Sequence, residues 1–344
     1  MMKRFIMMAG LLMLCHFASA YRQKEVFVYS ESMNKDIPAT VITPDGYWKG
    51  KDYPVVYILH GYSDNHVDRW TYDGHLGRLA DRYDVIVVVP DGGFSSWYFD
   101  SPVMPEYKYE TFVSKELVSF MDKRYKTLAD KSGRAITGNS MGGHGALYVA
   151  IRHQDVFGSA GSMSGGVDFR PFPENWDIAK RLGTIQEHPE NWENNTVINM
   201  THLIQPGMNI IFDCGSGDFF YEVNCNLHKK LLEQEIPHDF YVRPGQHNWK
   251  YWYNAVKYQY LKRIQPEKNM LDWSADFYYE MEQTASKILA TGLNLKSYQW
   301  KNVPRKMHVL EIDLTSTAID LTTAFANDIV PNPNGNKNGN NANP

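Results

Sequence analysis

The sequence predicts an α/β fold in which helices cover both faces of a mostly parallel sheet. Short apolar runs bounded by glycine, proline or polar residues alternate with longer segments of helical pattern over residues 25–263. This alternation is typical of parallel strands joined by crossover helices. A serine flanked by glycines, in the pentapeptide GNSMG at residues 138–142, stands between one such run and the helical segment that follows it.

Eight strands and five helices are predicted from these patterns. Two strands lie within residues 25–43, and the others cover residues 53–59, 85–89, 135–137, 158–163, 210–213 and 240–242. The helical patterns cover residues 75–82, 109–125, 142–152, 223–233 and 249–262.

The pentapeptide around Ser140 is the strongest chemical signal in the chain. Gly-x-Ser-x-Gly between a strand and a helix is typical of a nucleophile elbow, a turn that is too sharp for side chains at the glycine positions. The same pattern also occurs in ordinary Gly-Ser loops, so the interpretation depends on whether the serine has partners.

A nucleophilic serine needs a base and an acid that orients the base. In the α/β-hydrolase fold these residues follow the serine in the order acid, then histidine, on loops after later strands. Asp218 lies on the loop after the strand at 210–213, and His247 lies in a glycine-containing loop between the last strand and the last helix. Asp213, at the end of the same strand, is the alternative acid. The order predicts an α/β-hydrolase fold.

The donors for an oxyanion are expected from two backbone amides. Gly61 follows the apolar strand at 53–59 and lets the backbone approach the site, so the Tyr62 amide can act together with the Met141 amide. The alternative interpretation is an ordinary glycine turn at the end of a strand.

Several motifs in the same order resemble the esterase-D-type α/β-hydrolases, which include feruloyl and acetyl-xylan esterases, S-formylglutathione hydrolases and mycolyltransferases. The motifs are YPVVYILHGYSD from Tyr53, AITGNSMGGHGAL from Ala135, CGSGDFF from Cys214 and GQHNW from Gly245. The resemblance covers about residues 25–263. It implies Ser140 as nucleophile, Asp218 as acid, His247 as base, and the Tyr62 and Met141 amides as the oxyanion hole, with no cofactor.

One residue departs from this family pattern. Asn139 stands where many relatives have histidine. In an elbow this position faces away from the substrate, so we expect activity to be retained.

Three tryptophans are candidate substrate contacts. Trp97 lies in a segment, residues 91–98, that resembles the loop that walls the acyl pocket in this family. Trp176 and Trp192 lie in residues 168–206, a segment without sustained periodicity that we expect to be an insert, such as a lid. Their rings could stack on sugars or fill a small core within the insert.

The N-terminus has the pattern of a signal peptide over residues 1–20. A basic start, an apolar stretch too short to span a bilayer and the small residues Ala18-Ser19-Ala20 predict cleavage before Tyr21 and a secreted or periplasmic protein. No later segment is long and apolar enough to enter a membrane. Two cysteines, Cys214 and Cys225, then remain. In an exported protein they could form a disulfide, although Cys214 could equally be a small core residue.

Charge and ligand spacing exclude two classes of partner. The formal net charge is −4 and no block of Lys and Arg is present, so nucleic acid is not expected as a partner. No CxxC or HExxH spacing indicates a metal site.

Residues 21–265 are expected to form the catalytic domain. Residues 266–328 read as a folded extension, with a helix and two strands, whose segment 307–320 is similar to the opening strands of phosphodiester-glycosidase-type domains and could begin a second domain. Residues 329–344, rich in Asn, Gly and Pro, are expected to be disordered or a long loop.

The expected activity is that of a secreted serine carboxylesterase that hydrolyses acyl esters. Location and family favour acetyl or feruloyl groups on a plant polysaccharide such as xylan. Two alternatives remain: an acyltransferase of the mycolyltransferase type, in which a sugar hydroxyl replaces water, and a non-catalytic carbohydrate-binding module that kept the fold.

Overall fold

A single mostly parallel sheet organises the part of the chain that the structure, a computed structural model, describes: residues 21–48, 50–67 and 69–263. Its strands are β1 (Arg22–Ser30), β2 (Lys35–Thr43), β3 (Val55–Leu59), β4 (Ile86–Pro90), β5 (Arg134–Gly138), β6 (Ser159–Met163), β7 (Asn209–Gly215) and β8 (Asp239–Arg243). The order across the sheet is β1-β2-β4-β3-β5-β6-β7-β8. Pairing is antiparallel between β1 and β2 and between β2 and β4, and parallel elsewhere.

Helices connect the parallel strands, so the predicted α/β-hydrolase fold is confirmed. They are α1 (Arg69–Tyr72), α2 (His75–Tyr83), α3 (Tyr109–Thr111), α4 (Val118–Arg124), α5 (Met141–Arg152), α6 (Ile178–Leu182), α7 (Pro189–Asn195), α8 (Tyr221–Glu233) and α9 (Trp249–Arg263). The segment predicted as one helix over 109–125 is continuous but contains a π-helical stretch, Phe112–Leu117, between α3 and α4.

The central strands are buried on both faces, which explains why they read as unbroken apolar runs. In β3 the side chains of Val55, Tyr57 and Leu59 enter the core on one face. Val56 and Ile58 enter the core on the opposite face, beneath α1, α2 and α9. Because the central strands are parallel, their carboxyl ends lie along the same edge of the sheet. Ligands of open α/β sheets bind at this edge.

Residues 168–206 form a packed layer over this edge. They contain α6, α7 and the 3₁₀ segment Val197–Leu203, and Ile178, Leu182 and Trp192 are fully buried in the main core. The insert is therefore continuous with the body of the hydrolase unit.

The predictions about the chain ends and the cysteines have different outcomes. The signal peptide (residues 1–20), the extension (266–328) and the tail (329–344) lie outside the described residues. Both remaining cysteines are free thiols, Cys214 buried and Cys225 half-buried, so the predicted disulfide is wrong for this structure. No helix within the described ranges has the length and apolar character needed to cross a membrane.

Candidate active site

Ser140 lies in a strained turn between β5 and α5. Its backbone has φ 56° and ψ −118°, a conformation that is costly for a non-glycine residue. The flanking glycines make the turn possible, because a Cβ at Gly138 or Gly142 would collide with the Leu59 carbonyl oxygen at the end of β3. The glycines of the pentapeptide are thus required by close packing of the elbow against the neighbouring strand.

His247 connects the serine to a carboxylate. Its Nε2 lies 2.8 Å from Ser140 Oγ, and its Nδ1 lies 2.9 Å from Asp218 Oδ2 and 3.0 Å from Oδ1. The Asp218 carboxylate is held in turn by the Phe220 amide, which donates to Oδ1 at 2.8 Å. This arrangement can carry a proton from the serine hydroxyl to the imidazole while the carboxylate fixes the orientation of the ring.

Aromatic rings pack around the imidazole of His247. The ring centroid of Phe219 lies 4.2 Å away, and Trp252 packs edge-on at 5.0 Å. These contacts leave the His247 side chain only 14% exposed and restrict its rotation.

The alternative acid, Asp213, occupies a different environment. It is buried below the site, and its Oδ2 accepts a hydrogen bond from Gln259 Nε2 at 2.8 Å. Burial raises the pKa of the Asp213 carboxyl to about 6. The structure therefore brings Asp218, and not Asp213, to His247.

Two backbone amides are candidates for the oxyanion hole: that of Met141, next to Ser140 in the chain, and that of Tyr62, in the loop after β3. Met141 is the first residue of α5, where the amide has no acceptor within the helix. Across the described ranges, neither amide donates a hydrogen bond to another protein group, so both can bind a developing oxyanion.

His60, which sequence analysis did not single out, fixes the peptide that carries the Tyr62 amide. The Gly92 amide donates to His60 Nε2 at 2.7 Å, so the proton of the neutral ring is on Nδ1, which lies 2.8 Å from the Gly61 carbonyl oxygen. Burial lowers the pKa of His60 and keeps the ring neutral. Because a trans peptide is planar, a fixed Gly61 carbonyl makes the Tyr62 N–H point the opposite way.

We expect His60→Ala to lower kcat by roughly 10- to 100-fold with little change in KM. Removal of one oxyanion donor typically lowers kcat by about 10²- to 10³-fold, and a misaligned donor should lose part of that rate enhancement. Steady-state kinetics on a simple aryl ester and the affinity for a boronic-acid transition-state analogue would measure this. An analogue affinity equal to that of the wild type, at reduced kcat, would show that His60 acts elsewhere.

The three tryptophans have different positions relative to the site. Trp176 stacks on Phe219 with centroids 5.4 Å apart, which places it beside His247. Trp192 is fully buried and donates its indole N–H to the Gly183 carbonyl oxygen at 2.9 Å. Trp97 is 1% exposed and donates to the Trp176 carbonyl oxygen. Predicted substrate contact is therefore wrong for the Trp192 and Trp97 rings, which are enclosed by the core.

Two exposed aromatic rings that the sequence did not distinguish lie beside the candidate site residues His247 and Tyr62 instead. Phe219 is 49% exposed and Phe94 is 59% exposed. Phe94 packs on the Tyr62 ring at 4.9 Å, next to the oxyanion loop, residues 60–65, which follows β3 and carries the Tyr62 amide. The sequence does not single out these two residues, because both lie in loops, where burial does not follow a helix or strand period.

Metal-binding groups are not assembled at the site. Among residues 21–48, 50–67 and 69–263, no three His, Cys, Asp or Glu side chains are grouped so that they could hold a metal ion.

Comparison with known proteins agrees with this geometry. The sequence profile of the Esterase family matches residues 30–259. The chain belongs to the Esterase family. A solved ferulic acid esterase superposes on the chain with a TM-score of 0.61 at 27% sequence identity, covering 71% of this chain and 98% of that one.

Two curated relatives match the chain at higher identity over shorter segments. Esterase Rv1288 of Mycobacterium tuberculosis is 38% identical over 135 residues, 38% of this chain and 29% of that protein. An endo-1,4-beta-xylanase/feruloyl esterase of Xylanibacter ruminicola is 34% identical over 156 residues, 42% of this chain and 21% of that protein. The chain thus matches less than a third of the length of either relative.

Proposed function

We propose that this member of the Esterase family is a serine carboxylesterase that works through an acyl-enzyme. The observation that carries the proposal is the position of His247, which is within hydrogen-bond distance of Ser140 on one side and Asp218 on the other. A non-catalytic module would have no reason to hold a strained serine against a paired histidine.

The reaction follows from the positions of these groups. Ser140 Oγ attacks the ester carbonyl carbon while His247 Nε2 takes its proton, and the Tyr62 and Met141 amides donate to the resulting oxyanion. Collapse of the tetrahedral intermediate expels the alcohol, which receives the proton from His247. A water molecule, deprotonated by the same nitrogen, then attacks the acyl-enzyme and releases the acid. Asp218 keeps Nδ1 protonated throughout.

We propose feruloyl and related aromatic acyl groups, esterified to a polysaccharide, as the substrate class of a secreted or periplasmic enzyme. The Phe219–Trp176 pair beside His247 and the Phe94–Tyr62 pair beside the oxyanion loop offer ring faces to a planar acyl group. An acetyl group would leave the exposed Phe219 and Phe94 rings without a contact. The names of two of the proteins compared above, a feruloyl esterase and a ferulic acid esterase, also support this class.

Phe219→Ala tests this class through the ratio of two values of kcat/KM, that for methyl ferulate divided by that for an aryl acetate. We expect the substitution to lower this ratio by about tenfold. A lost aromatic contact costs about 0.5–1.5 kcal/mol, and the apolar area of the ring is lost as well. The matched control is Phe27→Ala, because Phe27 is also an exposed phenylalanine, at 61% against 49% for Phe219, and lies on the edge strand β1. This substitution should not change the ratio. Hydrolysis of the acetate alone, or an unchanged ratio in Phe219→Ala, would contradict an aromatic acyl site.

A further inference from the structure

The Tyr21 side chain packs against α2 and the residue before it, Gly74. Its ring lies against Gly77, where a Cβ would overlap the ring atoms, and its hydroxyl lies against Gly74. The ring also packs on the core cluster on this face of the sheet. The first described residue is therefore fixed by packing before β1 begins.

The main-chain nitrogen of Tyr21 faces a carboxylate. It lies 3.2 Å from Asp81 Oδ2, while Asp81 Oδ1 accepts a hydrogen bond from the Asp45 amide at 2.7 Å. Asp81 is half-buried, and the Asp45 amide holds its orientation. The site thus presents an oriented negative charge to the nitrogen of one particular residue.

A peptide nitrogen gives this carboxylate one hydrogen bond. An α-ammonium group at the same place would give a hydrogen bond with a full positive charge, which is the stronger interaction. The residues before Tyr21, Ala18-Ser19-Ala20, are the small residues expected before a cleavage site.

We propose that Asp81 is the built-in partner of the α-ammonium group that Tyr21 would carry after the cleavage that the sequence predicts. An endopeptidase of the signal-peptidase class adds water across the Ala20–Tyr21 peptide bond: the C–N bond breaks, Ala20 leaves as a carboxylate, and the Tyr21 amine takes up a proton. The new ammonium pairs with Asp81 while the ring stays on Gly77. This inference concerns maturation and is independent of the esterase chemistry.

The charged groups around Tyr21 determine how the ion pair between its α-ammonium group and Asp81 responds to pH. Asp81 faces the nitrogen directly, and Asp45 adjoins it through its amide. Arg78 lies near the Tyr21 hydroxyl, where it donates to the Asp73 carbonyl oxygen at 3.3 Å. An α-amino group ordinarily titrates at about 7.7–8.0, so the ammonium charge, and the stability that it provides, is present at pH 6.5 and lost at pH 10.

The test compares two proteins, one that begins at Tyr21 and one that begins at Ala20, and both end at residue 344. In the longer protein the Tyr21 nitrogen is part of a peptide bond and carries no positive charge. Each is made with Asp81 and with Asp81→Asn. We expect the Tyr21 form to melt about 1–3 °C higher at pH 6.5, the range for a partly exposed ion pair in a chain of this size. The difference should vanish at pH 10 and in Asp81→Asn, with turnover unchanged in all four proteins.

Equal melting temperatures at pH 6.5, or a difference that persists in Asp81→Asn, would overturn the role of Asp81. N-terminal sequencing of the exported protein tests the position of the cut independently. A first residue other than Tyr21 would overturn the predicted cleavage, and with it the pairing with Asp81.

Discussion

Ser140→Ala is expected to lower kcat for a simple aryl ester by on the order of 10⁶-fold, because the acyl-enzyme cannot form without the nucleophile. The fold should be retained, since alanine can adopt the same backbone conformation at the elbow at a similar cost. Initial rates with p-nitrophenyl acetate, beside a thermal melt of the same sample, would measure both properties. Turnover near that of the wild type in the folded variant would mean that another group is the nucleophile.

Asp218→Asn is expected to lower kcat by about 10⁴-fold with little effect on KM, because the imidazole loses the carboxylate that holds its tautomer and stabilises its charge. Asp213→Asn is the matched control. It is the same substitution at the end of the same strand, in a carboxyl that hydrogen-bonds Gln259 and not His247.

The comparison of these two variants is made at matched thermal stability. We expect the Asp213 variant to keep most of the wild-type kcat, because its amide can still accept from Gln259. A larger loss of kcat in Asp213→Asn than in Asp218→Asn would show that Asp213, and not Asp218, orients the imidazole.

The sheet and the elbow could be predicted from sequence because local constraints specify them. Strands such as β3 and β4 are buried on both faces, so their apolar runs have only one interpretation. The Gly138 and Gly142 positions tolerate no Cβ against the Leu59 carbonyl oxygen, which is why the pentapeptide is informative. The order of Ser140, Asp218 and His247 along the chain then follows from the order of the strands.

The positioning contacts could not be predicted, because they join residues that are distant in sequence. His60 acts on the oxyanion loop partly through the Gly92 amide, and no local pattern couples these two positions. Trp192 and Trp176 lie in the same insert and look equivalent in the sequence. Only packing separates them, since Trp192 fills the core and Trp176 lies beside Phe219.

Covalent labelling of the serine tests the proposed mechanism most directly. The protein is incubated with an alkyl fluorophosphonate until esterase activity stops, and intact and peptide mass spectrometry then locate the adduct. The mechanism predicts one adduct per chain, on Ser140, in proportion to the activity lost, and none in Ser140→Ala. Full labelling with activity retained, or an adduct at another residue that accounts for the loss of activity, would contradict it.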